Sequence, residues 1–136
     1  MRLDPYLTFD GTCAEAFAFY ERCFGAKAGM TMRYGDSPMA EQTPPEFRNK
    51  IMHTRLDVAG VALMGSDAPP GRYARPAGTM VSIGADDPAE AERIFAALAE
   101  GGQVGMPIQE TFWARRFGMV TDRFGTPWMV NCEKPA

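Results

Sequence analysis

From Phe117 to Thr121 apolar and polar positions alternate, the chain breaks at Asp122-Arg123-Phe124-Gly125, and an apolar segment resumes from Trp128 to Cys132. That is the pattern of two antiparallel strands joined by a tight glycine-containing turn. The same frame occurs earlier: Asp57-Val58-Ala59-Gly60 leads into Val61-Ala62-Leu63-Met64, and 65 residues later Asp122 to Gly125 lead into Thr126-Pro127-Trp128-Met129. A helical pattern recurs as well. Ala16, Phe19, Tyr20, Cys23 and Phe24 form an i, i+3, i+4, i+7, i+8 stripe, and Ala91, Ile94, Phe95, Leu98 and Ala99 repeat it 75 residues on, each set giving a helix one buried face. Thr12-Cys13-Ala14-Glu15 and Asp87-Pro88-Ala89-Glu90 precede the stripes as helix starts, each with an N-cap oxygen and an acidic residue three positions later. Pro88 suits the first helical position.

Two copies of one unit follow from these recurrences: strand, helix, then three strands ending in the D-x-x-G hairpin. The first copy is expected over residues 3–67 and the second over 78–134, with 68–77 as a linker around Pro69-Pro70-Gly71, so that Phe19 matches Ile94 and Met64 matches Met129. Pro5 to Phe9, Lys27 to Tyr34, Ile51 to Val58 and Val61 to Ser66 are the predicted strands of the first copy, with a helix from Thr12 to Phe24 that Gly25 ends. Thr79 to Ala85, Gln103 to Phe112, Phe117 to Asp122 and Trp128 to Glu133 serve the second, with a helix from Pro88 to Glu100. The two offsets differ because the first copy carries a longer loop, where Ser37-Pro38 and Pro44-Pro45 break any regular pattern.

At 136 residues with 46% hydrophobic side chains the chain has material for one domain built from two packed modules. Its net charge of −3, with Lys and Arg scattered, gives no basic stripe and argues against a nucleic-acid partner. No segment approaches the roughly 18 apolar residues of a membrane span, and Met-Arg-Leu-Asp-Pro is not the start of a signal peptide, so the expected setting is cytoplasmic. Cys13 and Cys23 on one helix lie about 15 Å apart, too far to bridge. The three cysteines are therefore expected as reduced, structural thiols.

Tandem βαβββ units carrying Tyr6-Leu7-Thr8-Phe9-Asp10-Gly11, Met64-Gly65-Ser66-Asp67-Ala68 and Gln109-Glu110-Thr111-Phe112-Trp113 resemble the PhnB-like branch of the vicinal-oxygen-chelate superfamily, which includes glyoxalase I, extradiol dioxygenases and the fosfomycin- and bleomycin-resistance proteins. The resemblance covers nearly the whole chain. It implies an α+β fold in which eight strands, four from each half, curve as a mixed sheet into a cup with one helix outside each half, and it implies a homodimer. Metalloenzymes of that superfamily place His, Gln or Glu on the first and last strands of each module. Here those strands offer Tyr6, Thr8, Phe9, Thr79 and Ser82, with Met64 and Met129 where glutamate is expected. Thioether sulfur is a poor ligand for hard or borderline divalent ions, so no metal and no other cofactor is expected.

Two functional readings follow. In the first, the chain is a small-molecule-binding protein of the resistance-protein kind that holds its ligand in the cup. In the second, it is a metal-independent lyase or isomerase using His53 and Glu110 as acid and base. His53, the one histidine, is the side chain suited to proton transfer near neutrality, or else a hydrogen-bonded structural residue. Glu110 beside Trp113 is either a carboxylate in an apolar pocket, which a general acid requires, or a solvated strand-end charge. Trp113 and Trp128 are candidate stacking walls, with a core role the competing one for Trp128. Asn131 suits a ligand carbonyl or amide, and Asp67 lines the cup or caps the linker turn. Arg116, next to Arg115, suits an anion or is a solvated strand-end charge. The ten methionines suit adaptable packing or a tolerant cavity.

Overall fold

The computed structural model describes residues 1–136. Its elements run β1 (Tyr6–Phe9), α1 (Cys13–Phe24), β2 (Ala28–Arg33), β3 (Ile51–Val58) and β4 (Val61–Asp67), then β5 (Val81–Gly84), α2 (Pro88–Ala99), β6 (Gln103–Gln109), β7 (Ala114–Thr121) and β8 (Pro127–Glu133). The long loop between β2 and β3 holds two single 3-10 turns, at Tyr34–Asp36 and Pro45–Phe47. The chain divides into two compact units, Met1–Ala74 and Arg75–Ala136. Each is a βαβββ module with one four-stranded mixed sheet, ordered β1-β4-β3-β2 in the first and β5-β8-β7-β6 in the second. No helix is long and apolar enough to cross a membrane.

Register shows the internal repeat directly. Tyr6 of β1 pairs in parallel with Met64 of β4, and Ser82 of β5 pairs with Met129 of β8, so each methionine sits on the last strand of its unit beside the first. The helical stripes are the cores: Ala16, Phe19, Tyr20 and Cys23 are buried in the first unit, and Ala91, Ile94, Phe95 and Leu98 in the second. Two glycines mark where each helix lies closest to its sheet. A β-carbon on Gly65 would come within 2.6 Å of Phe17, and one on Gly118 within 2.7 Å of Phe95, closer than carbon atoms approach.

Since alternate strand residues face opposite sides, those glycines assign the faces. In the first unit Leu63, Gly65 and Asp67 look toward α1, leaving Met64 and Ser66 on the opposite, open face. In the second, Trp128, Val130 and Cys132 look toward α2, and Met129 and Asn131 lie on the open face with Phe117 and Met119. Ile51, which strict alternation groups with His53, instead lines the cleft beside α1; the β2–β3 register shifts between Met32 and Arg33, next to it.

The helix starts differ from each other and, in one case, from expectation. Asp87 caps α2, its carboxylate accepting from Glu90 N at 2.9 Å. Thr12 makes no such bond. The amide of Cys13 donates instead to Asp67 Oδ1 at 2.9 Å, a carboxylate brought from the far end of the unit. Gly25 ends α1 with φ 64°, in the left-handed region that favours glycine. Between β3 and β4, Ala59 and Gly60 both have positive φ (51° and 81°), which suits the two-residue hairpin joining Val58 to Val61.

The predicted strand over 103–112 ends earlier, at Gln109, and the next begins at Ala114 rather than Phe117. Thr111 is the cause. Its amide donates to Ala114 O, and its hydroxyl oxygen accepts from the amides of Trp113 and Ala114, turning the chain where a strand would have continued. Arg115 and Arg116 interrupt the alternation seen in sequence, and a register shift between Ala114 and Arg116 accommodates them.

Candidate functional site

On the open face of the first unit, Met64 lies in register between Tyr6 on one side and Arg55 on the other. The Tyr6 hydroxyl reaches His53 Nδ1 at 3.2 Å, and the two rings stack with centroids 5.7 Å apart at an interplanar angle of 28°. His53 is thereby held by Tyr6, a residue that sequence reasoning considered only as a possible metal ligand. Alternation placed Tyr6 on β1 and His53 on β3, but only the strand order, with β4 between them, shows that a long side chain can span the gap. Arg55 Nε donates to Asp57 at 2.9 Å, a partly exposed ion pair on the same face.

On the open face of the second unit, Asn131 sits beside Gly84 of β5 and Phe117 of β7. Met129 and Met119 form the next row, with Ser82 beside Met129. Phe117 packs edge-on against Trp113 at 5.3 Å, and Trp113 against Phe112 at 4.8 Å, so an aromatic group extends from this face to the β6–β7 turn. Within this apolar setting Asn131 Oδ1 is buried and has no hydrogen-bond donor. A buried carbonyl oxygen without a partner is uncommon in folded proteins and costs about 1–3 kcal/mol.

Four of the sequence candidates lie elsewhere. Trp128 is a core residue beneath α2 and not a ligand wall: it is 1% exposed, and its indole Nε1 donates to Asp122 Oδ2 at 2.8 Å. Arg116 also turns to the helix side, where its Nε meets Glu92 of α2 at 3.3 Å and its NH1 donates to Arg115 O. Asp67 is 1% exposed and occupied on both oxygens, by Cys13 N and by Ile51 N at 2.8 Å, so it ties α1 and β3 together instead of facing a ligand. Glu110 is not in an apolar pocket. It lies on the turn after β6, mostly exposed, 3.6 Å from Lys134, and it belongs to the second unit whereas His53 belongs to the first.

Asp122 is the functional-looking carboxylate that sequence reasoning passed over. It is 3% exposed, and Oδ1 accepts from the amides of Phe124 (2.8 Å) and Thr126 (3.1 Å) while Oδ2 takes the Trp128 indole. These bonds shape the β7–β8 turn, so its role is architectural. The thiols are all buried. Burial, followed by the charges of Asp67 and Glu15, pushes the Cys13 thiol up, which keeps it protonated and inert. Burial likewise raises the phenol of Tyr34, whose hydroxyl donates to Asp67 O at 2.8 Å.

A cleft of about 190 Å³ opens between α1 and β2, lined by Cys13, Phe17, Glu21, Thr31, Arg33 and Ile51 among others. Its main polar groups are already paired: Glu21 accepts from Ala28 N, and Thr31 bonds Thr54. It leaves a ligand little to recognise.

The divalent ion of the superfamily's metalloenzymes does not fit these residues. Met64 and Met129 face Tyr6 and Ser82 across their sheets, and no group of three or more His, Cys, Asp or Glu side chains is placed to hold an ion. Thioethers and hydroxyls are poor donors for hard or borderline divalent ions.

Protein PA1353 from Pseudomonas aeruginosa is 48% identical, with a TM-score of 0.88 and 99% of each chain covered. Protein YjdN of Escherichia coli K12 is 39% identical over 98% of this chain and 97% of its own. The fold is shared with the PhnB protein from Bacillus cereus, at 19% identity and a TM-score of 0.80 over 97% and 99% of the two chains. It is also shared with the fosfomycin resistance protein FosX from Listeria monocytogenes, at 12% identity and a TM-score of 0.66 over 98% and 94%. The model of the Glyoxalase/Bleomycin resistance protein/Dioxygenase superfamily matches residues 2–130, and with the tandem βαβββ units described above the chain belongs to that superfamily.

Proposed function

We propose that the chain is a small-molecule-binding member of its superfamily whose ligand rests on the open face of the second unit, with Asn131 as the polar anchor and Phe117, Met119, Met129 and Trp113 as apolar contacts. The observation that carries this reading is the orphaned Oδ1 of Asn131 among apolar neighbours. A few convergent polar groups on an apolar surface are the usual form of a small-molecule site, and methionines adapt to differently shaped ligands. A ligand hydroxyl or primary amide supplies what is missing. Each can donate to Oδ1, and each can accept if the side-chain amide is turned over.

The reading is tested with benzamide, nicotinamide and salicylamide as probes, followed in ¹H–¹⁵N spectra of the labelled protein. Expected are concentration-dependent shifts centred on Gly84, Phe117, Met129 and Asn131, lost in Asn131→Leu. If none of the three probes moves these resonances in the millimolar range, the site is not as described. The lyase or isomerase reading gains nothing from the geometry, because the exposed Glu110 is salt-bridged to Lys134.

A further inference from the structure

The Tyr6–His53 pair is built in a way that a merely structural histidine does not need. Tyr6 is 47% exposed, and its ring crosses β4 to stack on His53 and bond Nδ1. A phenol is a stronger acid than the N–H of a neutral imidazole, so the hydroxyl proton points to the Nδ1 lone pair. The bond at one ring nitrogen then sets the state of the other: the ring's own proton sits on Nε2. Nε2 has no partner in the protein. Next to it on β3, Arg55 engages Asp57 through Nε alone, and Met64 lies between Arg55 and Tyr6.

We infer that this patch binds a small planar carboxylate: the apolar body lies on Met64 against the Tyr6 ring, and the anion takes the Nε2–H of His53 and the free guanidinium edge of Arg55. The chemistry on offer decides the class of ligand. Both free groups are donors, one is permanently charged, and a fork of guanidinium N–H groups matches a carboxylate. Tyr6 acts here as a positioning residue, through the tautomer of His53. Asp57 competes with the ligand for Arg55. Its residues all belong to the first unit, whereas Asn131 belongs to the second.

The single histidine makes the test clean, because a ¹⁵N-histidine-labelled chain gives the two nitrogen signals of one imidazole. At pH 7.5 the Nε2–H tautomer is expected in the parent. Sodium benzoate in the millimolar range should shift Nε2, and an equal ionic strength of sodium chloride should not. Tyr6→Phe should lose the tautomer bias and weaken benzoate about fivefold, the effect of one hydrogen bond. Arg55→Gln should weaken it about tenfold or more, and Asp57→Asn should tighten it. Equal shifts with chloride, an unshifted imidazole at saturating benzoate, or parental affinity in both Tyr6→Phe and Arg55→Gln would each overturn the inference.

Discussion

Asn131→Leu is the most informative single change, because it should stabilise the ligand-free protein while abolishing its ligand response. Leucine keeps the heavy-atom branching of asparagine but is bulkier, so the neighbours Gly84 and Phe117 must yield a little and part of the gain is lost to overpacking. What is removed is the buried unpaired Oδ1, whose cost is about 1–3 kcal/mol. Allowing for relaxation, a net gain of about 1–2 kcal/mol is expected. With an unfolding entropy of about 2.1 cal/mol/K per residue and 136 residues, that gain raises Tm by about 3–7 °C. Calorimetry on protein stripped of ligand by unfolding and refolding is the assay, run with and without nicotinamide. The parent should rise with the probe, and the variant should start higher and not respond. A stripped Asn131→Leu protein that melts below the parent would refute the reasoning, since it would mean that Oδ1 has a partner in the folded chain.

Asp122→Ala should cost about 3–5 kcal/mol, because it leaves the Phe124 and Thr126 amides and the Trp128 indole without their acceptor; urea unfolding measures this, and a loss under about 1 kcal/mol would contradict the turn's dependence on that carboxylate. Asp4 accepts from Ala62 N and, twice, from Arg2, and the Ala62 bond first, then Arg2, holds its carboxyl below the ordinary 3.8. Its folded value being the lower one, its stabilising contribution is full above the ordinary value and fades as pH falls through the folded one. Melting of Asp4→Asn against the parent should therefore converge toward pH 2, and a gap that stays constant from pH 6 to 2 would contradict this. A homodimer is expected, because Phe112 (90% exposed), Trp113, Met30 and Val104 leave apolar surface bare and each sheet has open edge strands; light scattering that reports a monomer at micromolar concentration would count against it. Elemental analysis of protein purified without chelator should find no stoichiometric zinc, nickel or manganese, since the donors facing Met64 and Met129 suit none of them.

The repeat was legible because it rests on short-range patterns. Stripes at 3.6-residue spacing, Asp87 as a local cap, and the D-x-x-G turns each involve residues a few positions apart, and all of these were found as read. What was missed lies at long sequence separation. The cap on α1 comes from Asp67 and not Thr12, and His53 is held by Tyr6 through a strand that neither belongs to. Trp128 and Arg116 were placed with the ligand because they are large and polar-tipped. For Arg116 the side of the sheet depends on register, which the bulge at Ala114–Arg116 alters, and one residue of slip exchanges the faces; Trp128 simply alternates with Met129 and so lies on the opposite face from it. Glu110 was carried into a strand because its neighbours suit strands, whereas the Thr111 hydroxyl turns the chain there.

The two helix starts also bear on the order in which the chain acquires its structure. Asp87 reaches an amide three residues away, so the first turn of α2 can form as soon as that segment is made. In α1 the capped amide is that of Cys13, the first helical residue, and its acceptor is a carboxylate 54 residues later, which also anchors the beginning of β3. Closing so long a loop is a late and entropically costly event. The Cys13 amide should accordingly exchange with solvent only when the whole first unit opens, while the Glu90 amide exchanges through local fraying. Two halves built on one plan thus differ in kinetics: the second can nucleate from its helix, and the first is locked only when its last strand arrives.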